Sequence, residues 1–258
     1  STQEARLAAV RLELAQGRPT PVTTDLRDLP EAERQMVGHL LVAAEIIERL
    51  YLRQRGAFGM QPTDPDSQAL FHRNQGPWCD SPATKDDPAC SAMDGAPPYL
   101  VDVYPPQLQT GDFCADLEAR DAQVMDPFHV ARLQGEALIA LPYTQAWPED
   151  MAAAAASLSA AAEALEGTEE LALQAYLRAA AQAFGDNDWQ QADVAWAAMN
   201  QRNSSWYLRV GPDETYWEPC SRHAGFHMVL ARVNPAGLVW QDTLAPVKQD
   251  MEASLAAL

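Results

Sequence analysis

Gly211-Pro212-Asp213-Glu214-Thr215-Tyr216-Trp217-Glu218-Pro219-Cys220 sets three carboxylates, a tyrosine and a tryptophan among two prolines. The strand-like run Trp206-Tyr207-Leu208-Arg209-Val210 precedes it. The apolar run Phe226-His227-Met228-Val229-Leu230-Ala231-Arg232-Val233 follows shortly after. Glycine and proline turn chemistry, clustered acids and then an apolar run are how a polar site is mounted at a sheet edge. The rest of the chain is patterned mostly for helices. The expected fold class is therefore α+β, mainly α-helical, with a small antiparallel or mixed β portion.

Working outward, a second β signal lies upstream. Phe128-His129-Val130-Ala131-Arg132-Leu133 and Ala137-Leu138-Ile139-Ala140-Leu141-Pro142-Tyr143 flank Gln134-Gly135, which reads as a hairpin near 128–143 with His129 facing outward. Between the two β portions, helices are expected within 148–200. The first opens on Pro148-Glu149-Asp150, whose acids complement the helix dipole, and the next two cover about 168–184, with Gly185 as its stop, and 189–199. The alanine-rich stretch 151–164 reads as a closely packed helix, since alanine has the best helix propensity and permits close approach. Near the start, 3–16 reads as an amphipathic helix. A longer helix is expected from an Asp28 N-cap with Pro30 in its first turn, ending at Gly56. Its apolar stripe is Met36, Leu40, Ala44, Ile47 and Tyr51, and His39, one position away, is expected to be partly buried. Residues 57–118 are rich in Pro, Asp, Gly and Cys and read as a long, ordered, irregular region anchored by Phe71, Trp78, Tyr99, Tyr104 and Phe113. A terminal helix is expected over 246–258. With 258 residues and 47% hydrophobic content, a single compact unit is expected.

The formal net charge is -18. That argues against nucleic acid and anionic membrane surfaces as partners, because both need a basic face. No apolar run is long enough to span a bilayer as a helix. Cys79 and Cys90 bracket a loop without core-forming residues, which a disulfide would order; Cys114 and Cys220 remain as a second even pair. Spacing alone does not choose among the three connectivities of four cysteines, and four free thiols are the plainer alternative. The preferred reading is an extracytoplasmic protein (periplasmic, secreted or an outer-membrane lipoprotein) whose export signal has been removed.

The chain contains no His-Glu-x-x-His, phosphate loop, dinucleotide fingerprint or nucleophile elbow. His223 and His227 stand at i and i+4 and are weak candidate metal ligands, with Glu214 or Glu218 as a third. The plainer reading is two surface histidines at a strand entrance. Strand alternation through the 211–220 stretch would put Glu214, Tyr216 and Glu218 on one face. There a carboxylate can hold a ligand ammonium and a phenol can donate to a developing oxyanion. On residue types alone, a charged edge strand that resists aggregation is the better reading.

The order of landmarks shifts that balance. Leu41-Val42-Ala43-Ala44-Glu45-Ile46-Ile47-Glu48-Arg49-Leu50, Asn74-Gln75-Gly76-Pro77-Trp78, Tyr104-Pro105-Pro106, Asp126-Pro127-Phe128, Leu141-Pro142-Tyr143, Tyr176-Leu177, Trp196 and Glu214-Thr215-Tyr216 occur in sequence. Over most of its length the chain resembles the N-terminal part of bacterial proteins of the dipeptidyl peptidase III family, which are zinc-dependent exopeptidases. The resemblance implies that Glu214 helps hold a peptide N-terminus and that Tyr216 is an auxiliary catalytic residue at the scissile carbonyl. The family's zinc ligands come from a His-Glu-x-x-x-His motif and a later glutamate, neither of which occurs in these residues. No cofactor is therefore expected on this chain, and zinc is expected only with a C-terminal lobe. Three expectations follow: the substrate-binding portion of a metallopeptidase that is not catalytic alone, a peptide binder without catalysis, or an accessory subunit that reuses the scaffold beside a second protein chain.

Overall fold

The computed structural model describes residues 2–95 and 98–257. The fold is α+β and mainly helical, with two separate two-stranded antiparallel sheets among the described residues. The helices are α1 (Gln3–Ala15), α2 (Glu31–Gln54), α3 (Pro65–Asn74), α4 (Phe113–Arg120), α5 (Tyr143–Ala146), α6 (Pro148–Ala164), α7 (Leu171–Asp186), α8 (Gln190–Ala198), α9 (Pro235–Leu244) and α10 (Lys248–Ala256). The strands are β1 (His129–Gln134), β2 (Ala137–Pro142), β3 (Trp206–Pro212) and β4 (Phe226–Arg232). No helix among the described residues is long and apolar enough to cross a membrane.

The central layer is α2 against α6 and α6 against α7, with β3 on α7 and β4 on α2. Helix α2 buries Met36, Val37, Leu40, Ala43, Ile46, Ile47 and Leu50, a run at three- and four-residue spacing that puts one face into the core. Opposite it, Met151, Ala154, Leu158, Ala161 and Ala162 of α6 are buried. The small side chains of Ala154, Ala161 and Ala162 let the helix backbones approach closely. The β3 and β4 strands pair from Trp206 with Arg232 to Pro212 with Phe226. Gln54, buried at the end of α2, fastens this sheet to the helix. Its Nε2 donates to the Ala224 carbonyl at 2.9 Å, and its Oε1 accepts the Phe226 N–H at 2.8 Å. In the other hairpin, Gln134 pairs with Ala137 across Gly135 and Glu136. Gly135 has φ 65° at the first central position, where a tight hairpin turn calls for glycine.

Several local expectations are corrected. The N-cap of α2 is Pro30 at φ -52° and ψ 148°, not Asp28, because proline's fixed φ suits the extended residue just outside the helix. Gly185 does not stop α7; the helix runs to Asp186, and Asn187 takes the left-handed position at φ 65°, its Nδ2 donating to the Phe128 carbonyl at 3.0 Å. His39 is exposed rather than partly buried, since it points away from the α2 stripe. The region 57–118 contains α3 and α4. Helix α3 is capped by Asp64, whose carboxylate accepts the Ser67 N–H at 2.8 Å, with Pro65 in the first turn. Helix α9 was not expected at all, and a helical turn over 245–247 joins it to α10. The expected start of the 1–56 helical region and end of the 246–258 helix include Ser1 and Leu258, which lie outside the described residues.

Helices α1 and α3 form a satellite core of Ala9, Val10, Leu70, Cys79, Cys90 and Ala92. Disulfides join Cys79 to Cys90 and Cys114 to Cys220.

Candidate functional site

Strand β3 ends at Pro212, and the chain then leaves the sheet in a loop over 213–225 before β4 begins. The ends of the loop are pinned to each other. The Asp213 N–H donates to the Gly225 carbonyl at 3.1 Å, and the Gly225 N–H donates to the Glu214 carbonyl at 2.9 Å. Pro212 and Pro219 bracket a segment that cannot continue the ladder, so side-chain alternation stops at the strand end. Glu214, Tyr216 and Glu218 consequently do not share one face, and the expectation that they do is corrected.

Glu214 and Tyr216 do lie together on the wall of a groove of about 570 Å³. Ala44, Ile47, Glu48 and Tyr51 of α2 form the facing wall, His72 and Arg73 of α3 with Gln75 close one side, and Phe226, His227 and Met228 of β4 line the rest. Three of the residues placed on the α2 core stripe, Ala44, Ile47 and Tyr51, thus also line the groove. Trp217 packs edge-on against Tyr51 with ring centroids 5.6 Å apart, and its indole N–H donates to the His223 carbonyl at 2.7 Å. A Cβ on Gly225 would come within 2.8 Å of this indole, so only glycine lets the loop fold so closely over the ring.

The charges in the groove are unequally committed. Arg73 is held by Glu13. Asp213 is held by Arg209 at 3.0 Å, and that guanidinium keeps its carboxyl below the usual range. Arg209 also binds Asp193 at 2.8 Å, and the two carboxylates outweigh desolvation to hold it protonated. His227 stands 3.7 Å from Asp213, and His72 stands 3.6 Å from Glu48. Among the described residues, the Glu214 carboxylate makes no ion pair or side-chain hydrogen bond, and Tyr216 is 75% exposed with its hydroxyl unengaged. A carboxylate and a phenol without protein partners, on one wall of a groove with an apolar and aromatic floor, can take an ammonium and donate to a carbonyl.

Glu218 and His223 belong elsewhere. Glu218 is buried beneath the loop, where it accepts the N–H groups of Cys220 at 2.7 Å, of Arg222 and of His223 at 3.0 Å, and the Tyr104 hydroxyl at 3.2 Å. Burial and the neighbouring Glu218 carboxylate both hold the Tyr104 phenol protonated. His223 is fully buried against Tyr104, with ring centroids 4.8 Å apart and Nδ1 2.9 Å from the Asp126 carbonyl. Burial lowers its pKa to about 4, so the ring is neutral at pH 7. The structure does not bring the weak candidates His223 and His227 together, and the plainer reading of two surface histidines is corrected for His223: β4 begins only at Phe226, so the His223 ring is buried while His227 lines the groove. Among the described residues, the cluster with metal-ligand proximity is Glu13 with Cys79 and Cys90, whose sulfurs are already bonded to each other. These donor sets do not fit a zinc site.

The groove's third wall, α3, falls within the stretch expected to be irregular. The Asp64-Pro65 pair was the signal that could have revealed it, being an N-cap followed by a first-turn proline.

The chain is similar to the structure of dipeptidyl peptidase III from Caldithrix abyssi, with a TM-score of 0.76 and 26% sequence identity over 94% of this chain. It is also similar to dipeptidyl peptidase III from Corallococcus sp. strain EGB, with a TM-score of 0.75 and 24% identity over 96% of this chain. In both cases the match covers 47% of the solved chain, so these residues span about half the length of the proteins they resemble. No family model matches the chain, and no curated protein matches it in sequence. The chain thus has the fold of one part of a dipeptidyl peptidase III structure.

Proposed function

We propose that this chain is the substrate-binding portion of a dipeptidyl peptidase III-like peptidase, and that its groove holds the N-terminus of a peptide. The observation that carries the reading is the pair of unengaged groups on one wall, the Glu214 carboxylate and the Tyr216 hydroxyl. Glu214 receives the ligand ammonium, Tyr216 donates to a backbone carbonyl of the ligand, and Tyr51 and Trp217 cover its apolar side chains. The fold similarity supports this reading, as does the occurrence of Glu-Thr-Tyr at the groove. Activation of water would need a metal, which the proposal assigns to a C-terminal lobe or a second chain. The two disulfides support an extracytoplasmic location, where such bonds persist.

The test is calorimetric titration with tetraalanine and with N-acetyl-tetraalanine. Tetraalanine is expected to bind and the acetylated peptide to bind far more weakly. Glu214→Gln is expected to weaken tetraalanine binding by about 1.5–3 kcal/mol, the range for a charged hydrogen bond. Equal affinity in the wild type and the variant removes Glu214 from the site.

A second reading, a non-catalytic binding or accessory subunit, is favoured by one observation. Helices α9 and α10 bury no residue, and Val239, Trp240, Met251 and Leu255 are exposed there. Of these, Met251 and Leu255 join Leu244 in one apolar hollow, a surface of the kind on which another protein docks.

A further inference from the structure

Residues 213–225 carry both groups that the proposed function uses, yet they form neither helix nor strand. Such a segment needs its shape fixed by specific bonds, because a groove wall that fluctuates loses affinity to ordering entropy. Within the loop, Glu218 supplies those bonds. Its Oε2 accepts the Cys220 N–H, and its Oε1 accepts the N–H groups of Arg222 and His223 and the Tyr104 hydroxyl. Three backbone amides within five residues therefore converge on one side chain, which bends the chain back on itself. Gly225 returns to pair with Glu214, and the indole of Trp217 closes on the His223 carbonyl. The Cys114–Cys220 disulfide and the Tyr104 bond tie this turn to the body of the molecule.

We infer that Glu218 is a positioning residue of the groove: it does not reach the ligand, but it folds the loop so that Glu214 and Tyr216 face Tyr51 and His227. The inference rests on the proposed peptide-binding reading and deepens it by adding a third acid with a separate role. A carboxylate suits this task, since its two oxygens offer about four acceptor sites and bring no donor. Glutamine keeps one oxygen and turns an N–H₂ toward the other set of amides. Alanine removes both oxygens and leaves three N–H groups without this acceptor, that of His223 in a buried position.

The experiment compares Glu218→Ala, Glu218→Gln and Glu214→Gln with the wild type in the full 258-residue chain. Amide hydrogen exchange is read over 213–225, and tetraalanine affinity is read by calorimetry well below the melting temperature of each variant. Glu218→Ala is expected to expose the amides of Cys220, Arg222 and His223, to speed exchange at 213–217, and to weaken tetraalanine binding at least tenfold. Glu218→Gln is expected to fall between Ala and wild type on both readouts. Glu214→Gln is expected to weaken binding with exchange unchanged. Tetraalanine affinity that survives loss of amide protection in Glu218→Ala overturns the inference, as does unchanged exchange at 213–217. If the wild type binds no peptide, the binding reading fails on its own. The exchange at 213–217 then still decides whether Glu218 places this wall: acceleration in Glu218→Ala upholds it, and no change overturns it.

Discussion

The segments 79–90 and 213–225 each combine a disulfide with a buried glutamate, but they draw these parts from different places. Loop 79–90 closes on itself, with its cysteines 11 positions apart, and its glutamate is foreign: Glu13 reaches in from α1. Glu13 accepts the Ser81 hydroxyl at 2.9 Å, the Asn74 amide at 3.1 Å and the Asp80 N–H at 3.3 Å, together with the Thr84 hydroxyl and the Arg73 guanidinium. Loop 213–225 has the reverse arrangement. Its glutamate is its own, and its disulfide spans 106 residues to reach α4. A clamp from outside fixes where a loop sits, whereas a clamp from within fixes its shape. The first loop seals a satellite core, and the second shapes one wall of the groove.

If this contrast is sound, the two disulfides differ in weight. In the chain-entropy model, Cys114→Ala with Cys220→Ala is expected to lower the unfolding free energy by about 4–5 kcal/mol, and Cys79→Ala with Cys90→Ala by about 3 kcal/mol. Urea unfolding of the two double variants measures the order. A larger loss at 79–90 breaks the comparison.

Glu13→Gln probes the foreign clamp. Desolvation alone would raise the Glu13 pKa, but hydrogen bonds from Thr84, Asn74, Ser81 and the Asp80 amide outweigh it and bring it to about 2. A folded pKa below the unfolded value of 4.5 means stability that is complete above pH 4.5 and lost as pH falls toward 2. The variant is expected to lose about 3 kcal/mol at pH 7, with the damage centred on α1, α3 and 79–90 in hydrogen exchange. Uniform loss of protection across the molecule would deny the satellite core its separateness.

The other loop titrates in a different window. His223 is neutral when folded, with its pKa lowered from 6.5 to about 4 by burial, against smaller opposing effects of the Asp126 carbonyl and carboxylate. His129 and Arg132 also disfavour its charge, and Tyr104 covers its face. The unfolded chain takes up the proton first, so stability is complete above pH 6.5 and declines as pH falls to 4. The decline is on the order of 2–3 kcal/mol, and His223→Gln is expected to flatten it while leaving the loss below pH 4.5 intact. Thermal unfolding at pH 7, 5.5 and 4 distinguishes the two; identical pH profiles for the variant and the wild type would show that His223 is not the group involved.

How far the sequence carried these conclusions depended on whether a signal was periodic or chemical. The core face of α2 was legible because its apolar residues recur at three- and four-residue spacing, and the 128–143 hairpin was legible because glycine sits at its turn. Helices α3 and α9 were missed although both open on the same signature, Asp64-Pro65 and Asn234-Pro235. In each case the acid or amide side chain caps the first turn, and the proline occupies a position whose N–H is not needed. Composition had masked one, and the absence of a buried face had masked the other. Glu214 and Tyr216 were singled out from their motif, and both line the groove. Glu218 was misplaced because alternation was extended past Pro212, where no ladder remains to enforce it.

Gln54 also bears on how the chain folds. Its amide meets the carbonyl of residue 224 and the N–H of residue 226, two groups that point to the same side of an extended chain. Sliding β4 by one residue turns both away and leaves a buried amide facing side chains. The β3–β4 pairing can form locally, and docking of α2, some 170 residues earlier in the chain, adds to the contacts that hold its alignment, beside the Tyr143 hydroxyl on the same Ala224 carbonyl. A Gln54→Leu protein is expected to reach the same overall compactness while refolding into a mixture of alignments.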